Sequence, residues 1–152
     1  MAGWAWRVRL VAVFAAGGFL AVALGIRVAA GGGVLDSSGA LAQYSGTVLY
    51  ASMIYAGVFL VVPAAGAWAA GAAAIAFCWL VELSQLTGVP AELSERSLLA
   101  RLALGVQFDA ADLAWYPVGV LPLVALQHAI ARRSARRLTA AGRAARRSAS
   151  GG

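Results

Sequence analysis

Long charge-free apolar runs alternate along the chain with short polar breaks, and the length of each run is the first guide to its elements. Residues 10–26 carry no charge, and a second charge-free stretch covers residues 37–81, 45 residues in all. A membrane span takes about 20 mostly apolar residues to cross a hydrocarbon core ~30 Å thick, so this second stretch is too long for one crossing. Pro63-Ala64-Ala65-Gly66 interrupts it with residues that end one helix and begin another. A further apolar run follows Asp112. The pattern predicts spans at about 10–28, 44–62, 66–86 and 112–131.

Between the last two spans, residues 88–110 are mixed: Gly88-Val89-Pro90, then an acidic and basic patch, then an apolar stretch from 97 to 108 broken by Arg101. About a dozen residues cannot cross the core, so this segment reads as a short interfacial or re-entrant helix between helices 3 and 4. The expected fold class is therefore all-α, an integral membrane four-helix bundle. Residues 1–131 form one transmembrane domain, and 132–152 an Arg-rich cytoplasmic tail. Arg7 and Arg9 before the first apolar run also suit a signal peptide, but with no soluble mature domain to release, an uncleaved anchor is expected.

Composition supports the membrane reading. The chain is 62% hydrophobic and 12% charged, with a mean hydropathy of +0.81, whereas soluble domains carry about 25% charge. The net charge of +6 would suggest nucleic-acid binding, but seven of the 12 arginines lie in the last 21 residues, and there is no lysine. A tail is thus basic rather than a folded face, and no nucleic-acid partner is expected. Cys78 is the single cysteine and lies in an apolar run, which excludes an intrachain disulfide or a cysteine metal cluster. No cofactor or metal motif is present.

Charge also orients the bundle. With both termini inside, nine arginines are cytoplasmic against three outside (Arg27, Arg96 and Arg101), as the positive-inside rule prefers. Trp4 and Trp6 then fall at the inner interface, and Tyr44 and Trp79 toward the outer one. On a helix, the tail arginines from Arg132 to Arg147 share roughly half the circumference. That pattern suits either a solvated orientation signal or attraction to an anionic leaflet or partner. The last residues, Ser-Ala-Ser-Gly-Gly, read as unstructured.

Gly66, Ala70, Ala74 and Cys78 recur every four residues, a stripe of small side chains that lets another helix approach closely and that leads to Glu82. Gly17 and Ala21 offer a shorter seam for a helix partner. An ionisable residue in a span is costly and by default functional, so Glu82 needs a partner. Gln85 shares its face, while Asp109, Asp112, Tyr116 and Gly119 fall on one side of the fourth helix if it starts a turn early. Gln43, Thr47 and Tyr50 form a stripe at the start of the second span, and Arg27 and Arg96 could neutralise Glu82 or Asp112. Two readings stand: a structural ion-pair network, or an outer-facing pocket with Glu82 or Asp112 as the ionisable, candidate catalytic groups. In the second, Arg27, Gln85, Arg96, Asp109 and Tyr116 would bind the ligand. His128, near the inner end of the fourth helix, reads as interfacial.

The string Val81-Glu82-Leu83-Ser84-Gln85-Leu86, with Glu95-Arg96, Leu104-Gly105, Phe108, Asp112-Leu113-Ala114-Trp115-Tyr116 and Gly119, resembles the bacterial integral-membrane family known as domain of unknown function 2809. Gly25-Ile26-Arg27, Tyr44-Ser45-Gly46 and Met53-Ile54-Tyr55 fit the same pattern, so the resemblance covers roughly residues 20–125. The order is more distantly similar to the VanZ-like family, small four-helix proteins associated with glycopeptide (teicoplanin) resistance. There Glu82 and Gln85 match its Glu-x-x-Gln, Arg96 its loop arginine, and Asp112 and Gly119 its final Asp and Gly. Tyr116 stands where that pattern has asparagine, and Thr47 where the first family usually has aspartate, removing one potential ligand or relay member. The resemblance implies a cell-envelope protein of the bacterial cytoplasmic (inner) membrane. The expected function is binding or modifying an envelope lipid or anionic cell-wall precursor; the alternative is a non-catalytic assembly or partner subunit.

Overall fold

The computed structural model describes residues 2–30, 39–105 and 107–150, all in helices and short connections with no strand among them. The helices are α1 (Ala2–Ala30), α2 (Ala40–Val61), α3 (Ala67–Ser84), α4 (Val89–Arg96), α5 (Leu98–Leu104) and α6 (Asp112–Ser150), with a 3-10 turn at Gln85–Thr87. Four stretches are long and apolar enough to cross a membrane: Gly3–Ala30, Ala42–Val61, Ala67–Thr87 and Asp112–Ala140. The Pro63 break falls where the pattern predicts it, between α2 and α3.

The core lies where α2, α3 and α6 meet. Ala70, Ala74 and Cys78 are wholly buried and Glu82 is 1% exposed, so the small-residue stripe of α3 is its packed face. Small residues set the helix spacing. A Cβ at Gly71 would lie 2.6 Å from a Val124 methyl group, and one at Gly119 would run into the Val48 carbonyl oxygen. The Gly119 crossing is stitched by Ser52, whose hydroxyl is within 3.0 Å of the Gly119 carbonyl.

Helix α6 contains Pro117 and Pro122. Pro117 has no N–H for the carbonyl four residues earlier. That carbonyl, of Leu113, accepts the Trp79 indole N–H at 3.0 Å instead, so α3 repairs the gap in α6. Helix α1 packs on α2 and exposes most of its surface. Its Arg9 donates to the carbonyl of Leu60 at 3.0 Å, satisfying an otherwise unpaired acceptor at the end of α2.

Two expectations are corrected, and a third feature is left open. The single short helix after the third span is two helices, because Ser97 is extended and its hydroxyl accepts the Ala100 N–H at 3.3 Å, capping α5. The Gly17–Ala21 seam is exposed, with nothing among the described residues within 4 Å of a Cβ at Gly17, so the face expected to receive a helix partner stays open. The tail is a continuation of α6, helical through Ser148-Ala149-Ser150, since alanine and arginine are strong helix formers, no proline follows Pro122, and Gly142 alone does not end the helix. At 1.5 Å per residue, α6 is about 58 Å long, nearly twice the thickness of a bilayer core. The side chains of Arg101, Arg143, Arg146 and Arg147, together with Asp36 and the final Gly-Gly, lie outside the described residues.

Candidate functional site

The chain runs from α3 through the 3-10 turn into α4 and α5, and this folds the loop back over the Glu82 end of the bundle. Three side chains hold it by the carbonyls that the last turn of α5 leaves unpaired. Tyr50 of α2 donates to Ala103 O at 2.7 Å, Gln85 Nε2 to Leu104 O at 2.6 Å, and Ser94 of α4 to Gly105 O at 2.9 Å. Gly105 has φ +69, a left-handed conformation open to glycine, and a Cβ there would lie 2.6 Å from Gln85 Nε2. The left-handed backbone thus favours glycine at the point where the loop meets Gln85.

Beneath this loop is an open cavity of about 720 Å³ between α1, α2, α3, α5 and the start of α6. Phe19, Leu20, Leu24, Leu49, Met53 and Leu99 contribute an apolar wall, and Arg27, Gln43, Thr47, Glu82, Gln85 and Asp112 a polar one. Glu82 is the best defined of these. Its Oε1 accepts the backbone N–H of Asp109 at 2.7 Å, and its Oε2 accepts the Tyr116 hydroxyl at 2.6 Å. A carboxylate taken from water needs donors on both oxygens, and α6 with its leading turn supplies them.

Asp109 precedes α6 rather than beginning it. One of its oxygens accepts the Ala111 N–H at 2.9 Å, closing the turn into the helix, and the other accepts Gln43 Nε2 at 2.7 Å. Asp112 opens α6, where a negative charge suits the helix dipole, and takes the Thr47 hydroxyl at 2.9 Å. Tyr44 and Trp115 stack at 5.0 Å and close the α2–α6 contact beside it.

The structure therefore gathers Glu82, Asp112, Gln85, Tyr116 and Arg27 around one cavity, with Asp109 bonded to its edge through Glu82 and Gln43. Arg96 is not among them: it is exposed at the end of α4 and does not line the cavity. The expected pairing of Glu82 or Asp112 with Arg96 or Arg27 is replaced by neutral donors. Among the described residues, the hydrogen bonds to both acids come from a backbone N–H and from hydroxyls. The reason is reach, since Tyr116 arrives on α6 and the Asp109 amide on the turn leading into it, while Arg96 sits exposed at the end of α4.

Gln85 stands apart from the other polar groups. Its amide nitrogen is engaged, but its Oε1 is buried with no hydrogen-bond partner. No three His, Cys, Asp or Glu side chains converge as metal ligands among the described residues. His128 stacks edge-on with Trp68 at 6.2 Å, away from this cavity. Two contributors were hidden from sequence reasoning: Ser94, which latches the loop, and Ser52, which joins α2 to Gly119. Both act on backbone carbonyls, and a lone serine carries no periodic signal for that.

A family model described as Protein of unknown function (DUF2809) matches residues 37–120, which include α2 to α5 and the start of α6. No curated protein and no solved structure matches the chain.

Proposed function

The chain belongs to the DUF2809 family of proteins of unknown function, and from that membership and its cavity we propose that it binds or modifies an envelope lipid or an anionic cell-wall precursor. The setting in this reading is the bacterial cytoplasmic membrane, with both termini cytoplasmic and the cavity toward the outer leaflet. The supporting observation is the cavity itself: an apolar wall fit for acyl chains faces a polar wall holding a buried, hydrogen-bonded carboxylate, Glu82, and a cation, Arg27. Ligand sites combine a largely apolar lining with a few fixed polar groups in this way. Arg27 is the head-group contact, and Glu82 with Asp112 is the ionisable pair.

Native mass spectrometry of the protein from mild detergent should detect co-purified lipid, reduced in Arg27→Ala at unchanged protein yield. The similarity to VanZ-like proteins makes glycopeptide tolerance the cellular readout. Glu82→Gln should abolish that phenotype with normal membrane abundance; loss of abundance instead would place Glu82 in a purely structural role.

A second reading, a non-catalytic partner subunit, is favoured by one observation: Gly17 and Ala21 of α1 face outward with no helix against them. Cys78 is wholly buried, so the reporter for this reading is Gly17→Cys. A crosslink to another membrane protein supports it, and a strictly monomeric, uncrosslinked protein rejects it.

A further inference from the structure

The charged groups on the cavity wall carry opposite signs but do not meet. Arg27, exposed on the last turn of α1, makes no hydrogen bond or ion pair with any of the described residues. Asp112 is half-buried; its Oδ1 takes the Thr47 hydroxyl, while its Oδ2 has no donor among the described residues and keeps accessible surface. Glu82 is 1% exposed with both oxygens engaged, so an occupant feels its charge without touching it. Among the described residues, two carboxylates on the wall and a third at its edge, Asp109, thus stand against one guanidinium. The neutral polar lining residues, Gln107 included, do not set the charge of a ligand. Polarity is also graded along the wall. Leu20, Leu24 and Arg27 stand at i, i+4 and i+7 on one face of α1 and all line the cavity. On α2, Thr47 lines it near the start of the helix and Met53 further in. Both rows turn polar toward Asp112, which suits a head group with acyl chains behind it.

Resting on the lipid-binding reading above, we propose that the occupant is a zwitterionic phospholipid, its phosphate on Arg27 and its ammonium on Asp112 Oδ2. Filling the cavity displaces the water that solvates both charges, and only a head group with both signs replaces that water at both places. A purely anionic head group satisfies Arg27 but brings another negative charge toward three carboxylates. A purely cationic one satisfies Asp112 and leaves Arg27 bare. Selectivity then rests on an acid as much as on an arginine, and the ligand is a neutral lipid rather than an anionic precursor.

Native mass spectrometry titration of the full-length protein in mild detergent tests this with three lipids of identical acyl chains. Phosphatidylethanolamine carries both charges, phosphatidylglycerol the phosphate alone, and a phosphate-free diacyl lipid with a primary ammonium head group the ammonium alone. Wild type should bind phosphatidylethanolamine about tenfold more tightly than either single-charge lipid, the effect of one charged contact. Asp112→Asn keeps an acceptor for Thr47 while removing the charge, and should erase the advantage over phosphatidylglycerol. Arg27→Gln should erase the advantage over the ammonium lipid. Should Asp112→Asn not purify as a monodisperse protein, the Arg27→Gln arm still decides, since Arg27 is exposed and bonded to none of the described residues. Either single-charge lipid binding as tightly as phosphatidylethanolamine overturns the proposal and leaves the lipid reading in place, as does a preference unmoved by Asp112→Asn or by Arg27→Gln. Failure of the wild type to bind any of the three rejects the lipid reading itself.

Discussion

At the Glu82 end of the bundle, Glu82, Asp109 and Asp112 are each met by a specific backbone or side-chain donor, and Glu82 is 1% exposed. At the other end, Arg132, Arg133, Arg136 and Arg137 are all exposed on the projecting half of α6. One end buries few charges at high cost and spends local structure on them; the other leaves many charges in water, where they cost little and hold nothing in place. The first group is tied into the packing of three helices, while the second makes no contact that positions another element. Net charge therefore says little about which charged residues matter to the molecule.

The largest expected effect breaks the helix crossing on which the acid end is built. Gly119→Val drives a side chain into the Val48 carbonyl and should abolish a monodisperse folded peak in fluorescence-detected size-exclusion chromatography. Gly17→Val, on the open face of α1, should leave that peak intact.

Next comes Glu82. In Glu82→Ala the Asp109 N–H and the Tyr116 hydroxyl lose their acceptor, and each such buried orphan costs about 1–3 kcal/mol. Glu82→Gln keeps one acceptor oxygen. Thermal melts in detergent should therefore rank wild type above Glu82→Gln above Glu82→Ala; equal melting of the two variants would show that hydrogen bonding does not hold Glu82 in place.

A smaller loss is expected for Trp79→Phe, which removes the donor that Pro117 obliges Leu113 O to find, at about 1 kcal/mol. The smallest stability effect belongs to the opposite end. Replacing Arg132, Arg133, Arg136 and Arg137 together by alanine should leave the melt unchanged while producing mixed orientations in cysteine-accessibility mapping. A clear drop in melting temperature would mean that the exposed arginines carry structure after all.

Much of this architecture was legible from residue order. The charge-free runs located the four long apolar helices, Pro63 marked the turn, and the spacing of Ala70, Ala74 and Cys78 identified the packed face of α3 that leads to Glu82. Glu82, Gln85, Asp112 and Tyr116 were also nameable, because polar groups in an apolar run stand out. Their bonding was not. Pairing of opposite charges was the natural expectation, yet the donors to Glu82 are a phenol on α6 and an amide in the turn before it, and Arg96 lies elsewhere. The split of the short helix at Ser97, and the helical continuation of the tail, turn on local capping and propensity that hydropathy does not register.

Sequence by itself determined which helices are long and apolar enough to cross a membrane and which faces are small enough to pack, since these follow from the period and length of apolar runs. Tertiary structure alone decided which donors reach Glu82, which carbonyls latch the loop, and that Gln85 keeps one buried oxygen unpaired. The physical reason is that burial acts on each residue separately and can be read one position at a time. A hydrogen bond needs two groups within about 3 Å, and only the folded chain brings residues 82 and 116 that close.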